Sequence, residues 1–451
     1  MKKLTLILSG LLLLLPLSAY TQKKTEAKKP ATEAEAPAKP GNPFVKKKEG
    51  TETPVKGGTE AESFVNVGVM VHYIDVKHTR WQQWLSQNSV PLDATALRNE
   101  METWISTGDA NLAEISLIMG RSGARMKVES VRQQYYPVEF TADESGHSFP
   151  GDFDRRDFGM ILECDPVILA DGSVEMNLSP ERGIYRGEAP PKTEIGVEEG
   201  DIRWPLFGIQ KATLSLTLDT NQWGLIACED SLSGNTDEKT LIFLRPVLHR
   251  FEEPSADPLG DAQAILTYQW VETDNESLSS WLTGNGDISP LIAGDLYAKA
   301  TQAGATLLDE KILRFRSGQR VKNESVQELI FAQEFSPGSD GKPSVPNGNE
   351  TINTGVTVEV DPVFSVGGRV LDLNMAPERV KSFGTSVHHR ILTEGRWIED
   401  VTMPVIYRMA PTTQIALPMD TPVLVAVMSP PDEKGVIDSS KKVLLFVKVS
   451  R

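Results

Sequence analysis

Apolar residues dominate positions 67 to 76 and 262 to 271, and each run predicts a strand. Behind each run the spacing changes to i, i+3 and i+4, through Trp81, Trp84 and Leu85 and through Leu278, Trp281 and Leu282. That spacing places three apolar side chains on one face of a short helix. A longer helix is predicted from Asp93 to about Thr107, with Asp93 as N-cap, Leu97, Met101, Trp104 and Ile105 as its apolar stripe, and Gly108 as its end. Later in the chain Ser289 caps, Pro290 takes the first helical position and Gly304 terminates. The pattern then turns to period two. Ala124, Met126 and Val128 alternate with Arg125, Lys127 and Glu129; Val356, Val358 and Val360 alternate with Thr357, Glu359 and Asp361; and Leu214, Leu216 and Leu218 alternate with Thr213, Ser215 and Thr217. These are strands with one buried and one polar face. DGS at 171 to 173 and VGGR at 366 to 369 supply hairpin turns. The fold class is α+β, mostly β.

The pattern occurs twice. RSGARMKVESVRQQYYPVEF (121 to 140) returns as RSGQRVKNESVQELIFAQEF (316 to 335), identical at ten of twenty positions. Upstream, VGVMVHYIDV (67 to 76) matches AQAILTYQWV (262 to 271); downstream, CDPVILADGSVEMNLSPER (164 to 182) matches VDPVFSVGGRVLDLNMAPER (360 to 379). The offset drifts only from 195 to 199, so the repeated unit is a globular domain and not a short solenoid repeat of about 20 to 50 residues. Two tandem homologous β-sheet domains, 63–255 and 256–451, each with one main helix, are expected.

The 451 residues suffice for two cores, and the composition is ordinarily globular. Residues 1–21 carry Lys2 and Lys3, then an apolar run from Leu4 to Leu15 and a polar end, the form of a signal peptide. The run is shorter than the roughly 18 residues of a membrane helix, and no later segment qualifies. Residues 22–62 are a Lys-, Glu-, Ala- and Pro-rich stretch with almost nothing to bury, read as a disordered tether. The net charge is −16, and residues 1 to 62 hold eleven basic and seven acidic residues, leaving −20 on the rest. So acidic a folded part argues against a nucleic-acid partner.

Motifs with a catalytic mechanism are missing from the sequence, and no cofactor is expected: there is no P-loop, HExxH, GxSxG or dinucleotide-binding glycine turn. The histidines lack metal-ligand spacing, and adjacent His388 and His389 would project to opposite faces of a strand. GDFDRRDFG (151 to 159) lacks the ligand series of a calcium loop and reads as a charged loop. Cys164 and Cys228 align with Val360 and Val427, as small apolar residues would; export also leaves a disulfide open, provided their Cα atoms lie within about 7 Å. Arg125, Lys127 and Glu129 match Arg320, Lys322 and Glu324, three charges on one strand face kept in both copies. This face is either solvated or a contact surface, within the domain or toward another subunit.

The paired segments RSGARMKVESVRQQYYPVEF with GMILECDPVILADGSVEMNLSPER, and RSGQRVKNESVQELIFAQEF with GVTVEVDPVFSVGGRVLDLNMAPER, resemble the C-terminal core domain of bacterial type II and type III secretion secretins. The resemblance implies an exported protein of the periplasm or outer membrane, with protein partners that include copies of itself. A gate segment of the type VPxxxxIPxxGxLF is not found, and a tether precedes two core-like units. A noncatalytic envelope component of a secretion or pilus-type complex is therefore the leading expectation. The alternatives are an outer-membrane ring channel subunit and an exported ligand-binding protein or enzyme using an interdomain cleft.

Overall fold

The first apolar run forms β1 (Ser63–Lys77), buried without a break from Asn66 to Ile74 because it lies at the centre of a covered sheet. The computed structural model describes residues 63–143, 148–189, 204–253, 263–282, 294–393 and 395–451. The signal peptide, the tether and the Ser289–Pro290 helix start lie outside these residues. After β1 come α1 (His78–Gln87), α2 (Thr95–Ser106), β2 (Ala110–Arg121), β3 (Met126–Ala142), β4 (Ser148–Ile168), β5 (Val174–Ala189), β6 (Trp204–Lys211), β7 (Leu214–Leu218), β8 (Gly224–Asp230) and β9 (Glu238–Glu252). The C-terminal half contributes β10 (Gln263–Asp274), α3 (Asn275–Leu282), α4 (Leu296–Gln302), β11 (Thr306–Arg316), β12 (Val321–Ser336), β13 (Val345–Phe364), β14 (Val370–Thr393), β15 (Arg396–Pro418), β16 (Val423–Met428) and β17 (Lys441–Ser450). The expected mostly-β, α+β class is what forms.

Both halves feed the same two antiparallel sheets. One runs β11-β10-β17-β16-β2-β1-β9-β8; the other runs β12-β13-β14-β15-β3-β4-β5-β6, with β7 also on β5. Four strands of each half follow one order in the first sheet, and the halves meet where β16 pairs β2 and where β15 pairs β3. A further bridge, Glu334 to Asp152, joins β12 to β4, so the second sheet curls until its strands meet. One continuous core lies between the sheets, drawing on Val69, Leu117 and Leu162 of the N-terminal half and on Val358, Leu373 and Val425 of the C-terminal half.

The helices start and stop by local chemistry. Asp93 accepts a hydrogen bond from the Thr95 amide (2.9 Å); the Thr95 hydroxyl first, and then this amide, hold its carboxyl below the usual range, and α2 begins two residues later than the sequence suggested. Gly108 and Gly304 end their helices at φ +76° and +79°. Trp81 and Trp84 stack at 5.1 Å and are buried as expected, whereas Leu85 is exposed.

Two expectations are corrected. Bulges at Tyr73/Ile74 and at Trp270/Val271 align the opening strands at an offset of 197, two residues from the match of 67 with 262. A shift of two keeps every side chain on its face, so alternation alone does not resolve it. GDFDRRDFG is also no loop: residues 151 to 159 lie inside β4, paired along β3, with Phe153 and Phe158 buried and Asp154, Arg155 and Arg156 exposed between them.

Gly159 (φ +148°) and Gly355 (φ +127°) occupy matching places in the two halves, opposite Val131 and Val326. A Cβ there would sit 2.2 Å from the Ser130 or Ser325 carbonyl oxygen. Replacing Gly159 by Ala should lower unfolding free energy by roughly 1–3 kcal/mol, measured by urea denaturation. An unchanged midpoint would show that the backbone relaxes at no cost.

Candidate assembly site

The six charged residues of the candidate face divide by position. Arg125 and Arg320 each fork onto an aspartate of the next strand, Asp165 at 2.9 and 2.8 Å and Asp361 at 2.8 and 2.7 Å. Lys127 pairs with Glu129 at 2.5 Å, and Lys322 with Glu324 at 2.7 Å. These last four line a polar chamber of about 1000 Å³ inside the curled sheet, together with Glu378 and Arg408. Arg408 of β15 reaches Glu129 and donates to Glu378 at 2.6 Å, so it ties the two halves across their junction. Burial opposes ionisation of Glu129, but Lys127 and Arg408 outweigh it and hold the carboxyl below its usual range. In the N-terminal half the face is thus turned inward and used. Glu324 and Lys322 of β12 are exposed; among the described residues no strand pairs with them where β3 has β15, and β12 meets β4 only at Glu334.

A second contact at the junction has no forerunner in the sequence analysis. Lys442 of β17 and Glu114 of β2 form a fully buried ion pair, with Ser429 between them: Lys442 Nζ donates to Ser429 Oγ at 2.5 Å, and Ser429 donates to Glu114 at 2.6 Å. Tyr407 of β15 donates to the Ser429 carbonyl at 2.9 Å and lies 3.0 Å from Ser130 Oγ of β3, so the network crosses from one sheet to the other. Burial lowers the Lys442 pKa, and Glu114 counters it. The usable signal was a lysine heading an apolar strand in each half, Lys239 in EKTLIFLRPV and Lys442 in KKVLLFVKV.

His388 and His389 do not oppose each other. A register shift at Val387/His389 breaks the alternation of β14, and the two rings pack on Phe153 (4.9 Å) and Phe149 (5.0 Å) of the same aromatic cluster. Ser386 Oγ lies 3.0 Å from His388, and His389 meets Asp400 at 2.8 Å. Both cysteines are free: Cys164 is buried in β4, Cys228 is exposed on β8 in the other sheet, and the disulfide left open by the sequence is not made. Burial pushes both thiols up, which makes them poor nucleophiles.

The sheet ends carry exposed apolar side chains that alternation did not flag. Val131 of β3, beside β15, is 0% exposed, whereas its counterpart Val326 of β12 is 37% exposed. Ile330 on β12 and Trp204, Leu206 and Ile209 on β6 are exposed as well.

No family model and no curated protein matches the chain. Among solved structures it is similar to the InvG secretin domain β-barrel of the Salmonella SPI-1 injectisome, with 12% identity over 44% of this chain and 64% of that one and a TM-score of 0.23. It is also similar to the type II secretin GspD of enteropathogenic Escherichia coli, with 12% identity over 42% and 69% of the two chains and a TM-score of 0.21. The chain therefore spans less than two thirds of the InvG chain.

Removing one partner of the buried pair strands the other charge. Lys442→Ala should cost about 3–5 kcal/mol, while the double change Lys442→Met with Glu114→Leu should recover most of it in the same denaturant titration. A second measurement concerns pH. Burial lowers the His388 pKa from 6.5 to about 4, so between those values the unfolded chain binds a proton that the folded chain refuses. Stability should fall as pH drops through that window, and His388→Phe should flatten the profile, by up to about 3 kcal/mol at its acid end. Identical pH profiles for the two proteins would remove His388 from the account.

Proposed function

We propose that the protein is a noncatalytic, exported component of the bacterial cell envelope, built from two tandem secretin-like units and acting as a structural part of a secretion or pilus-type complex. The edge of β12 carries this reading: one strand sequence is paired with a strand on each side in the N-terminal half, whereas in the C-terminal half, among the described residues, its outer side meets a strand only at the Glu334–Asp152 bridge and exposes Val326 and Ile330. Open edges with alternating charged and apolar side chains recruit proteins by strand addition. Matched strand order, matched bulges and the matched Gly159 and Gly355 support the tandem units. The apolar run at residues 4 to 15 supports export. Among the described residues no helix is long and apolar enough to cross a membrane, a statement that leaves strands open.

The test is fractionation of cells producing a C-terminally tagged chain, with crosslinking before extraction. The reading expects the chain in the envelope fraction, crosslinked to envelope proteins other than itself. Detergent-resistant rings containing this chain alone would make it a channel subunit instead. Recovery in the cytoplasm, or in the envelope with no crosslinked protein at all, would sink the proposal.

A further inference from the structure

Arg132 of β3 and Arg182 of β5 line one cavity, and neither is closely paired with an acid. The cavity, of about 230 Å³, lies between the sheets, where β2 to β5 of the N-terminal half meet the turn that precedes β17 in the C-terminal half. Alternation sets Arg132 on the face of β3 that carries Val128 and Ser130. Among the described residues it forms no ion pair: one terminal nitrogen donates to Gln134 at 3.1 Å, and its Nε is buried without a partner. Asp432 acts on it only from a distance, because its Oδ1 accepts the amides of Lys434 and Val436, each at 2.8 Å. Burial pushes the Arg132 pKa down, so its charge is held against a desolvation cost. Arg182 lies 3.8 Å from Asp75 and donates to Gln210 at 3.4 Å, both long contacts.

The two halves differ here in room and in charge. At the places of Arg132, Phe158 and Gly183 the C-terminal half has Gln327, Thr354 and Val380, by the same registers that match Gly159 with Gly355. Arg379, the counterpart of Arg182, lies 3.8 Å from Asp309. Glu114 holds the place of Asp309, opposite Tyr73 as Asp309 is opposite Trp270, but it is committed to Lys442 and Ser429. The N-terminal half thus adds a guanidinium, removes a side chain and engages the acid elsewhere. Two guanidinium groups are left with one carboxylate, Asp75, at ion-pair range.

The remaining walls select among anions. Phe158, Met160, Ile184 and Ile437 are apolar, and Val436 is 46% exposed, so the cavity reaches solvent beside it. A guanidinium fork matches a carboxylate in geometry and charge. Apolar walls with a few convergent polar groups suit a ligand with an apolar body, and 230 Å³ is below the roughly 300–1,000 Å³ of drug-sized sites, so that body is small. A bare inorganic anion would leave the apolar walls unused and its own charge stripped of water against them.

We propose that this cavity binds a small organic carboxylate, with Arg132 and Arg182 taking its charged end and Phe158, Met160 and Ile437 packing on its apolar body. The site draws on both halves, so an occupied cavity ties the turn before β17 to β3, β4 and β5. This goes beyond the envelope role and does not depend on it.

The test titrates the full chain at neutral pH with benzoate and, separately, with hexanoate, reading heat by calorimetry and the melting temperature. At least one should bind once per chain and raise the melting temperature, because a ligand held only by the folded chain stabilises it. The matching amide, which keeps the shape and loses the charge, and inorganic phosphate, which keeps charge and lacks the apolar body, should each bind about tenfold more weakly or worse. Arg132→Gln should weaken the carboxylate about tenfold or more. Gly183→Val should do the same by filling space, since a Cβ there already meets Phe158 at 3.2 Å. Where Arg132→Gln melts below wild type without ligand, Arg132→Lys is read instead: it keeps the charge, loses the fork and should weaken binding in the same direction. Absence of heat and of a melting shift with both acids at millimolar concentration would overturn the inference. Equal binding of the amide, equal binding of phosphate, or folded Arg132 variants that bind as wild type would each overturn it too. None of these readouts involves the cell envelope, so failure here leaves the proposed role standing, and failure of that role leaves the site.

Discussion

The relation between the two halves turns on a lysine and a glutamate that are buried together. β16 pairs β2 through only two residues, Ala426 and Val427 against Ile118 and Leu117, all small or branched apolar side chains. Such a pairing would tolerate a slip, because apolar faces discriminate weakly between registers two residues apart. Lys442 and Glu114 flank this pairing, and each would be an unpaired charge in a dry interior if the halves shifted. Ser429, Tyr407 and Ser130 carry the constraint into the second sheet, so one network sets the relation of the halves in both sheets. The hydrophobic core supplies the driving force, and the ion pair selects the arrangement.

A second consequence concerns where charge lies. On β3 the alternation sends Met126 and Val128 into the core between the sheets and Lys127 and Glu129 into the chamber. The chamber is lined by both signs of charge, and its ions pair with neighbours one or two positions away. Partial solvation lowers what those pairs contribute, as it does for surface pairs. Arg408 differs because it spans two strands, Glu129 on β3 and Glu378 on β14, and so its loss would touch strand pairing. In the N-terminal half the polar face is thus the inner wall of a curled sheet.

Period and turn chemistry were legible in the sequence because they are local. The mostly-β class, the short helix with Trp81 and Trp84, the stops at Gly108 and Gly304 and the hairpin glycines follow from residues within a few positions of each other. Features that depend on distant partners were not. Residues 151 to 159 read as a loop because charge density and glycine are turn signals, yet pairing with β3 makes them strand. The His388 face depends on a bulge that no residue type announces. The separation of Cys164 and Cys228 depends on which strand joins which sheet. The ion pair joins positions 328 residues apart, beyond any local pattern.

β3 and β12 hold one strand pattern in two settings: β3 is paired along both sides, with β15 and β4, while β12 is paired along β13 and meets β4 only at Glu334. Open edges invite unspecific pairing, and charged side chains along them are the usual safeguard. β12 carries Lys322, Glu324 and Glu328 in this role, but it interrupts them with Val326 and Ile330, which a purely protective edge would not need to expose. A strand added along this edge would have to supply apolar groups at the same intervals and opposite charge between them, or leave charges unpaired on burial. That requirement excludes most strands by cost and admits few by complementarity, which is how an edge becomes specific.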